Sequence, residues 1–351
     1  MHLLDIRKFV ERIFASCYLK FNPLIEISKP EKIESILLIR LDHLGDLILT
    51  TPLIEGIKEV FPESRLHVLS WAYCASIIDS NEFIDRIHVV KDRNLRTLSK
   101  YFKENLNKED FNLVICPSYD FLLPDAFLAS LFKNSYKIAF KTEQGKGFFH
   151  EMVERQYDVY EADHNLRILA SWKPNISSKP LRINPGKEKI READMIFGKL
   201  GIGRNKVVGI HPGARRPHHI WQIDKIVRLI KNIEKLDNSK VLVTHGSHDR
   251  SVVSVIKKSI PGIIVAPETD VQLLAAIIQK CSFFITEDTA PMHITVAVNT
   301  PSLTLWGDGD LKRWGLPSSK LHSYVYGKKI RDFSFDEVWS MLEPLLVKYL
   351  K

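Results

Sequence analysis

Three short stretches of this chain hold residues whose types and spacing could do chemistry. The first is IRLDHLGDLILTTP, residues 39–52. An apolar run ends at Leu41, the tight turn Asp42-His43-Leu44-Gly45-Asp46 follows, and a helix is expected from about Leu47. Gly45 permits an αL turn or the close approach of a ligand. Asp46 is expected at a helix N-terminus beyond the carboxyl end of a strand, where a carboxylate can serve as an N-cap or as a general base. GxGxxG is absent, so the dinucleotide-binding fingerprint does not apply. The second stretch is GIHPGARRPHHIW, residues 209–221, again strand, loop and helix. Gly213, with Ala214 beside it, lets the backbone approach a ligand, and Arg215, Arg216, His218 and His219 bring positive charge to a strand's carboxyl end. Phosphate or pyrophosphate fits there, through charge-assisted hydrogen bonds and helix-terminal N–H groups. A solvated basic loop has the same composition, and His211 fits a hydrogen-bonded core histidine. The third stretch is FFITEDTAPMHITVAVNTPSLTLWG, residues 283–307. A strand over 283–286 leads into a helix beginning near Ala290 or Pro291, since Pro is favoured in a helix's first turn. Asp288 and Thr289 can cap that helix, whose free N–H groups attract anions. His293 lies one turn along on the same side. An ordinary capped helix with a core histidine accounts for the same residues.

The elements that must position these turns follow from the hydrophobic pattern. Strand-like runs occur at 35–41, 66–70, 87–90, 112–118 and 136–140, and a second series at 207–212, 241–246, 263–267, 283–288 and 302–307. Helical candidates lie between them, notably 47–60, 222–235, 249–258 and 270–280. Strand–helix alternation predicts parallel sheets built from βαβ units, and near-continuous Val/Ile/Leu runs predict strands covered on both faces. The alternation pauses between about 141 and 205, with a Pro/Ser-rich linker near 173–186 and a helix-like segment after it. Two doubly wound α/β domains are therefore expected, over 35–175 and 176–335, with ligands outside the carboxyl ends of their strands in the cleft between them. Residues 1–34 read as an amphipathic extension. Residues 336–351 read as a C-terminal helix packing back on the first domain.

Composition bounds the function. At 351 residues the chain suits two domains of about 150–200 residues. The 50 Lys and Arg against 42 Asp and Glu leave +8, an excess that suits an anionic small ligand or an acidic membrane surface. Its basic residues are dispersed and no base-reading motif is present, which disfavours nucleic acid. The 4 cysteines are scattered, without a CxxC pair or metal-ligand spacing, so a reducing compartment is expected and a disulfide scaffold or structural zinc is not. No apolar run reaches the roughly 18 residues of a membrane span. Residues 1–21 lack a clean signal-peptide core, so a cytoplasmic location is expected. In that segment Leu3, Leu4, Ile6, Phe9, Val10, Ile13 and Phe14 recur at helical spacing among Arg7, Lys8 and Arg12. A helix lying on the inner face of the membrane and a helix packed on the first domain both fit this pattern.

With these motifs in order, the chain resembles glycosyltransferase family 9, the ADP-heptose:lipopolysaccharide heptosyltransferases and their relatives. The resemblance rests on IRLDHLGDLILTTP, on HPGARRPHHIW, and on DTAPMH followed by a strand ending LWG, and it runs from about residue 35 to 315. It implies two Rossmann-like domains in the GT-B arrangement and an inverting, metal-independent transfer from a nucleotide sugar. Such a protein needs no cofactor: the donor, ADP-heptose, is a substrate, and the acceptor is a lipopolysaccharide core or related surface glycan. Asp46 matches the family's general base, with Asp42, His43 and Gly45 on the acceptor side. Gly213, Ala214, Arg215, Arg216 and His219 match the donor loop. Asp288, Thr289, Ala290 and His293 match the donor-binding turn. Two positions depart from the family pattern: Ala290 stands for the usual glycine and narrows backbone access, and His219 stands where a lysine is commoner. Two alternatives remain at this point: another nucleotide sugar or a protein acceptor on the same fold, and a sugar-nucleotide-binding protein without catalysis. Retention of Asp46 favours the enzyme.

Overall fold

The computed structural model describes residues 3–202, 206–214, 219–236, 239–316 and 319–350, with side chains from residue 10 onward. The chain divides into two compact units, Met1–Pro180 and Leu181–Lys351, at a point inside the linker stretch.

The first unit is a six-stranded sheet in the order β3-β2-β1-β4-β5-β6. Its strands are β1 Ser35–Arg40, β2 Arg65–Trp71, β3 Arg86–Val90, β4 Leu113–Cys116, β5 Tyr136–Phe140 and β6 Glu151–Val153. All neighbours are parallel, with Leu37 opposite His67 on one side and Val114 on the other. Ile36 to Ile39 have no exposed surface, as a run without polar alternation requires of a strand covered on both faces. The second unit repeats the plan, with β7 Lys206–His211, β8 Ser239–Val243, β9 Ile264–Val265, β10 Phe283–Glu287, β11 Ser302–Trp306 and β12 His322–Tyr326. Its order is β12-β11-β10-β7-β8-β9. Counted from its own first strand, that is the same doubly wound, Rossmann-like order as in the first unit. Each sheet therefore has its topological switch point between its first and fourth strands, β1/β4 and β7/β10, where ligands of such folds bind beyond the carboxyl ends.

All ten expected strands are present, and β6 and β12 add one edge to each sheet. β6 has only three residues (EMV) and β12 (HSYVY) a single aliphatic one, because an edge strand is not enclosed on all sides and needs no apolar run. The single helix expected over 47–60 is instead two, Leu44–Ile48 and Thr51–Val60. Pro52 has no N–H for the Ile48 carbonyl, and the Thr51 hydroxyl takes that carbonyl at 2.8 Å.

The C-terminal helix Phe335–Tyr349 gives Phe335, Val338, Leu342 and Leu346, one helical stripe, to the core of the second unit. The N-terminal helix Leu3–Phe21 packs on the first unit through Ala15, Tyr18 and Leu19, with Tyr18 stacked 6.1 Å from Phe148. No helix among the described residues is long and apolar enough to cross a membrane.

Candidate functional site

In the first unit the chemistry collects where β1 ends. Arg40, its last residue, is 2% exposed. A buried guanidinium is tolerable only when paired, and carboxylates surround it: its Nε lies 3.1 Å from Asp42 Oδ1 and its Nη2 3.8 Å from Asp46 Oδ1. Burial works against its charge, but Asp42, Asp46, Glu161 and Asp125 outweigh burial and hold it above the usual arginine value. Burial pushes the Asp42 carboxyl up, and the neighbouring Asp46 charge adds to that rise against the pull of Arg40. Asp125, in the first turn of the helix Leu123–Leu131, accepts a 2.7 Å hydrogen bond from Ser118. Burial and the Asp42 charge push it up to about 8, so at neutral pH it is largely a proton-carrying group.

Asp46 sits at the third position of the helix Leu44–Ile48, whose N-cap is His43. The helix thus begins three residues earlier than expected, and Asp46 is not the N-cap. Its Oδ2 accepts the His43 backbone N–H at 3.1 Å, closing the return half of a capping box. The carboxylate is thereby fixed from two sides, by a backbone N–H and by Arg40, at the carboxyl end of β1. Gly45 is half-buried within this helix and His43 is exposed at its start. Beside the turn a cavity of about 410 Å³ is lined by Asp92, Arg93, Asn94, Leu122, Pro124 and Asp125. Arg93 donates to the Leu41 carbonyl at 3.1 Å and lies 4.8 Å over the Trp71 ring, which anchors that wall to the end of β1.

In the second unit the neighbours β7, β10 and β11 bring their following turns together. Gly213 and Ala214 follow β7, Asp288 and Thr289 follow β10, and Asp308 follows β11. Arg215, Arg216 and His218 lie outside the described residues. His219 stands between two of the turns, with Nδ1 4.0 Å from Asp288 Oδ2 and Nε2 3.9 Å from Asp308 Oδ1. The close approach that Gly213 permits is to the Asp249 carboxylate: a Cβ at 213 would lie 2.2 Å from Asp249 Cγ. Asp249 accepts the Gly246 N–H at 2.9 Å and faces His211 Nε2 at 3.5 Å. Burial opposes its charge, yet His211 and that N–H hold its carboxyl below the usual value. His211, bonded also to Thr244 at 3.1 Å, is the core histidine its strand position suggested.

Thr289 occupies the N-cap of the helix Ala290–Ala297 without capping it, since its hydroxyl bonds back to the Glu287 carbonyl at 3.3 Å. The Ala290 N–H therefore stays at the open, positive end of the helix. His293 is 8% exposed, and burial pushes it down to about 4, so it is neutral and offers hydrogen bonds rather than charge. Asp310 caps the short helix Leu311–Trp314, accepting the Lys312 and Arg313 N–H groups at 3.1 and 3.3 Å. The Asp308-Gly309-Asp310 loop is thus a turn that leads into a capped helix.

Four further residues belong to these sites without being singled out by the sequence motifs. Arg40 had a signal, a lone charge closing an apolar strand. Arg93, Asp125 and Glu287 had none, being ordinary polar residues until the fold encloses them. Glu287, 2% exposed, accepts the Trp221 N–H at 2.7 Å and ties the end of the 209–221 loop to the 287–293 turn. Burial pushes its carboxyl up to about 8.

A family model described as glycosyltransferase family 9 (heptosyltransferase) matches residues 102–336, which include both turns of the second unit but not Asp46. Lipopolysaccharide heptosyltransferase 3 of Escherichia coli is 25% identical over 287 residues, 77% of this chain and 82% of its own length. A family 9 glycosyl transferase from Veillonella parvula superposes with a TM-score of 0.82 at 20% identity, covering 92% of this chain and 100% of the other. The E. coli ADP-heptose lps heptosyltransferase II gives 0.73 at 15% identity, over 90% and 99%. These likenesses carry the fold: α/β, with the two Rossmann-like domains of GT-B heptosyltransferases. The family match spans well over half of the sequence, so the chain belongs to glycosyltransferase family 9 (heptosyltransferase) and is a glycosyltransferase.

Proposed function

We propose that this enzyme moves heptose from ADP-heptose onto a lipopolysaccharide core or related surface glycan, with inversion and without a metal. ADP-heptose is the donor named for its E. coli structural relative. The reading is carried by one observation: the Asp46 carboxylate is held at the carboxyl end of β1 by the His43 N–H and by buried Arg40. In the reaction Asp46 takes the proton of the acceptor hydroxyl as that oxygen attacks the anomeric carbon. The bond from that carbon to the diphosphate breaks on the opposite side, and the diphosphate leaves with the electron pair. Its charge is met by the open end of the helix Ala290–Ala297, by Thr289, and by the basic loop carrying Gly213, Ala214, Arg215, Arg216 and His219. Asp288 and neutral His293 complete the donor set. Asp42, His43 and Gly45 frame the acceptor, beside the cavity walled by Arg93 and Asp125. Exposed Val10, Ile13, Phe14 and Phe21 on the N-terminal helix support a further part of the reading, a peripheral position at the cytoplasmic face of the membrane.

Asp46→Asn tests the assignment, because an asparagine amide still accepts the His43 N–H and keeps the turn. Turnover with acceptor should fall roughly 10²–10⁴-fold while donor affinity changes little. Wild-type transfer should persist in EDTA, and NMR of the product should show the inverted anomer. Near-wild-type turnover in the variant ends the base assignment. A donor panel in which another nucleotide sugar is transferred, or none is, points to one of the two alternatives.

A further inference from the structure

A second cavity lies along the same edge of the first sheet. It measures about 550 Å³, within the range of small-ligand sites. Its walls come from the turns after β4 (Asp120, Phe121), β5 (Lys141 to Gln144) and β6 (Glu154, Arg155, Tyr157), and from Glu11 and Arg12 of the N-terminal helix. Glu11 and Arg12 share the helix face that packs on the unit through Ala15 and Leu19. Gln144 binds Arg12 through its amide oxygen, 2.8 Å from Nε and 2.9 Å from Nη2. The cavity is thus built jointly by the core sheet and by the segment that lies outside the family motifs.

Its chemistry is distinctive. Glu11, Asp120, Glu143 and Glu154 face Arg12, Lys141 and Arg155, so the lining is close to neutral with a slight acidic excess. Lys141 pairs with Glu154. Arg155 lies 3.8 Å from Asp120 and 4.5 Å over the Tyr119 ring, and its buried Nε has no hydrogen-bond partner among the described residues. Tyr157 meets Tyr119 edge-on at 6.2 Å and is 62% exposed. Paired carboxylates and guanidinium groups present donors and acceptors together, as vicinal hydroxyls require. Phe121 and Tyr157 offer the flat apolar surface that the C–H face of a sugar ring needs. A phosphate or other anion would meet four carboxylates against three cations, two of which, Lys141 and Arg155, already face carboxylates of the lining.

We propose that this cavity is a subsite for a neutral sugar of the acceptor, and that the N-terminal helix, through Arg12 and Glu11, takes part in selecting it. The proposal rests on the reading that the first unit holds the acceptor. Parallel neighbours lie about 4.8 Å apart, which puts β5 about 10 Å from β1 and its Asp46 turn. The sugar bound here is therefore not the one attacked but another residue of the same glycan.

Saturation-transfer NMR on the full chain tests this with methyl glycosides of glucose, galactose and mannose, against N-acetylneuraminic acid at equal concentration. At least one neutral glycoside should receive saturation from the wild-type protein. Tyr157→Ala and Arg12→Ala should each reduce it at least threefold, and the acidic sugar should receive little. Both side chains are exposed, so folding is not at stake. No signal from any neutral glycoside, equal signals in both variants, or preference for the acidic sugar overturns the subsite. The readout needs no donor and no turnover, so it stands apart from the Asp46→Asn experiment.

Discussion

Arg40 and Glu287 show how single residues acquire roles from burial. Arg40 is an arginine inside an otherwise apolar strand end, and the carboxylates nearest to it, Asp42 and Asp46, keep it charged there. Protonation of Asp125, pushed up to about 8, limits the negative charge gathered around that one cation. In the second unit Glu287 is likewise held largely in its acid form, with its pKa raised by burial from 4.5 to about 8. A carboxyl raised on folding stabilises most below its unfolded pKa, and that contribution is lost as pH rises through the folded one. The Glu287 contribution should therefore shrink between about pH 4.5 and 8, by no more than about 1.4 kcal/mol per pH unit. Glu287→Gln keeps an acceptor for the Trp221 N–H and removes the titration. Chemical denaturation at pH 5 and pH 8 should show the variant gaining on the wild type as pH rises. Equal pH dependence of the two proteins would mean that Glu287 titrates normally.

At the scale of elements, loop geometry decides which backbone groups face a ligand. The break at Pro52 ends the first helix after five residues, and its start at Leu44, with His43 as N-cap, puts Asp46 in its opening turn. Thr289 gives its hydroxyl to the Glu287 carbonyl and so leaves the next helix open at its positive end. Gly213 is required by a packed carboxylate. In Gly213→Ala the new methyl would press on Asp249, which is anchored by Gly246 and faces His211, so it cannot simply swing aside. Overpacking of this kind costs about 1–3 kcal/mol, and a thermal scan should show a lowered Tm even without ligand. An unchanged Tm would show that the Asp249 turn is free to shift.

The whole molecule repeats one topology, with the same strand order in each unit and a switch point that bears polar turns in each. The N-terminal helix adds a surface that neither sheet provides. Its packed face is taken by the first unit, while Val10, Ile13 and Phe21 are 57%, 49% and 84% exposed on the other side. Under the proposed peripheral position, this exposed apolar face and the chain's net charge of +8 would meet an anionic bilayer. Vesicles containing phosphatidylglycerol should float the wild-type protein, and a Val10→Ser/Ile13→Ser/Phe21→Ser variant should stay behind. Equal flotation of both proteins would remove the membrane role from this helix.

How much of this was legible in the sequence depends on range. Ten strands and the places of the Asp46, Gly213 and Asp288 turns could be read directly, because apolar runs and glycine turns are properties of neighbouring residues, although the helix at Asp46 starts three residues earlier than its pattern suggests. The edge strands β6 and β12 escaped, since an edge needs little apolar sequence. The site's supporting contacts were out of reach for a stronger reason. Arg40 comes within electrostatic reach of Asp125, Gly213 meets Asp249, and Trp221 meets Glu287 only because parallel crossover connections bring distant turns to one edge of a sheet. The sequence by itself determined the family, the two α/β units and the turns that bear the candidate chemistry. The tertiary structure alone decided which charges face one another, which carboxyls burial keeps protonated, and that a helix outside the family motifs walls a second cavity, since burial and charge pairing arise from contacts that no local pattern encodes.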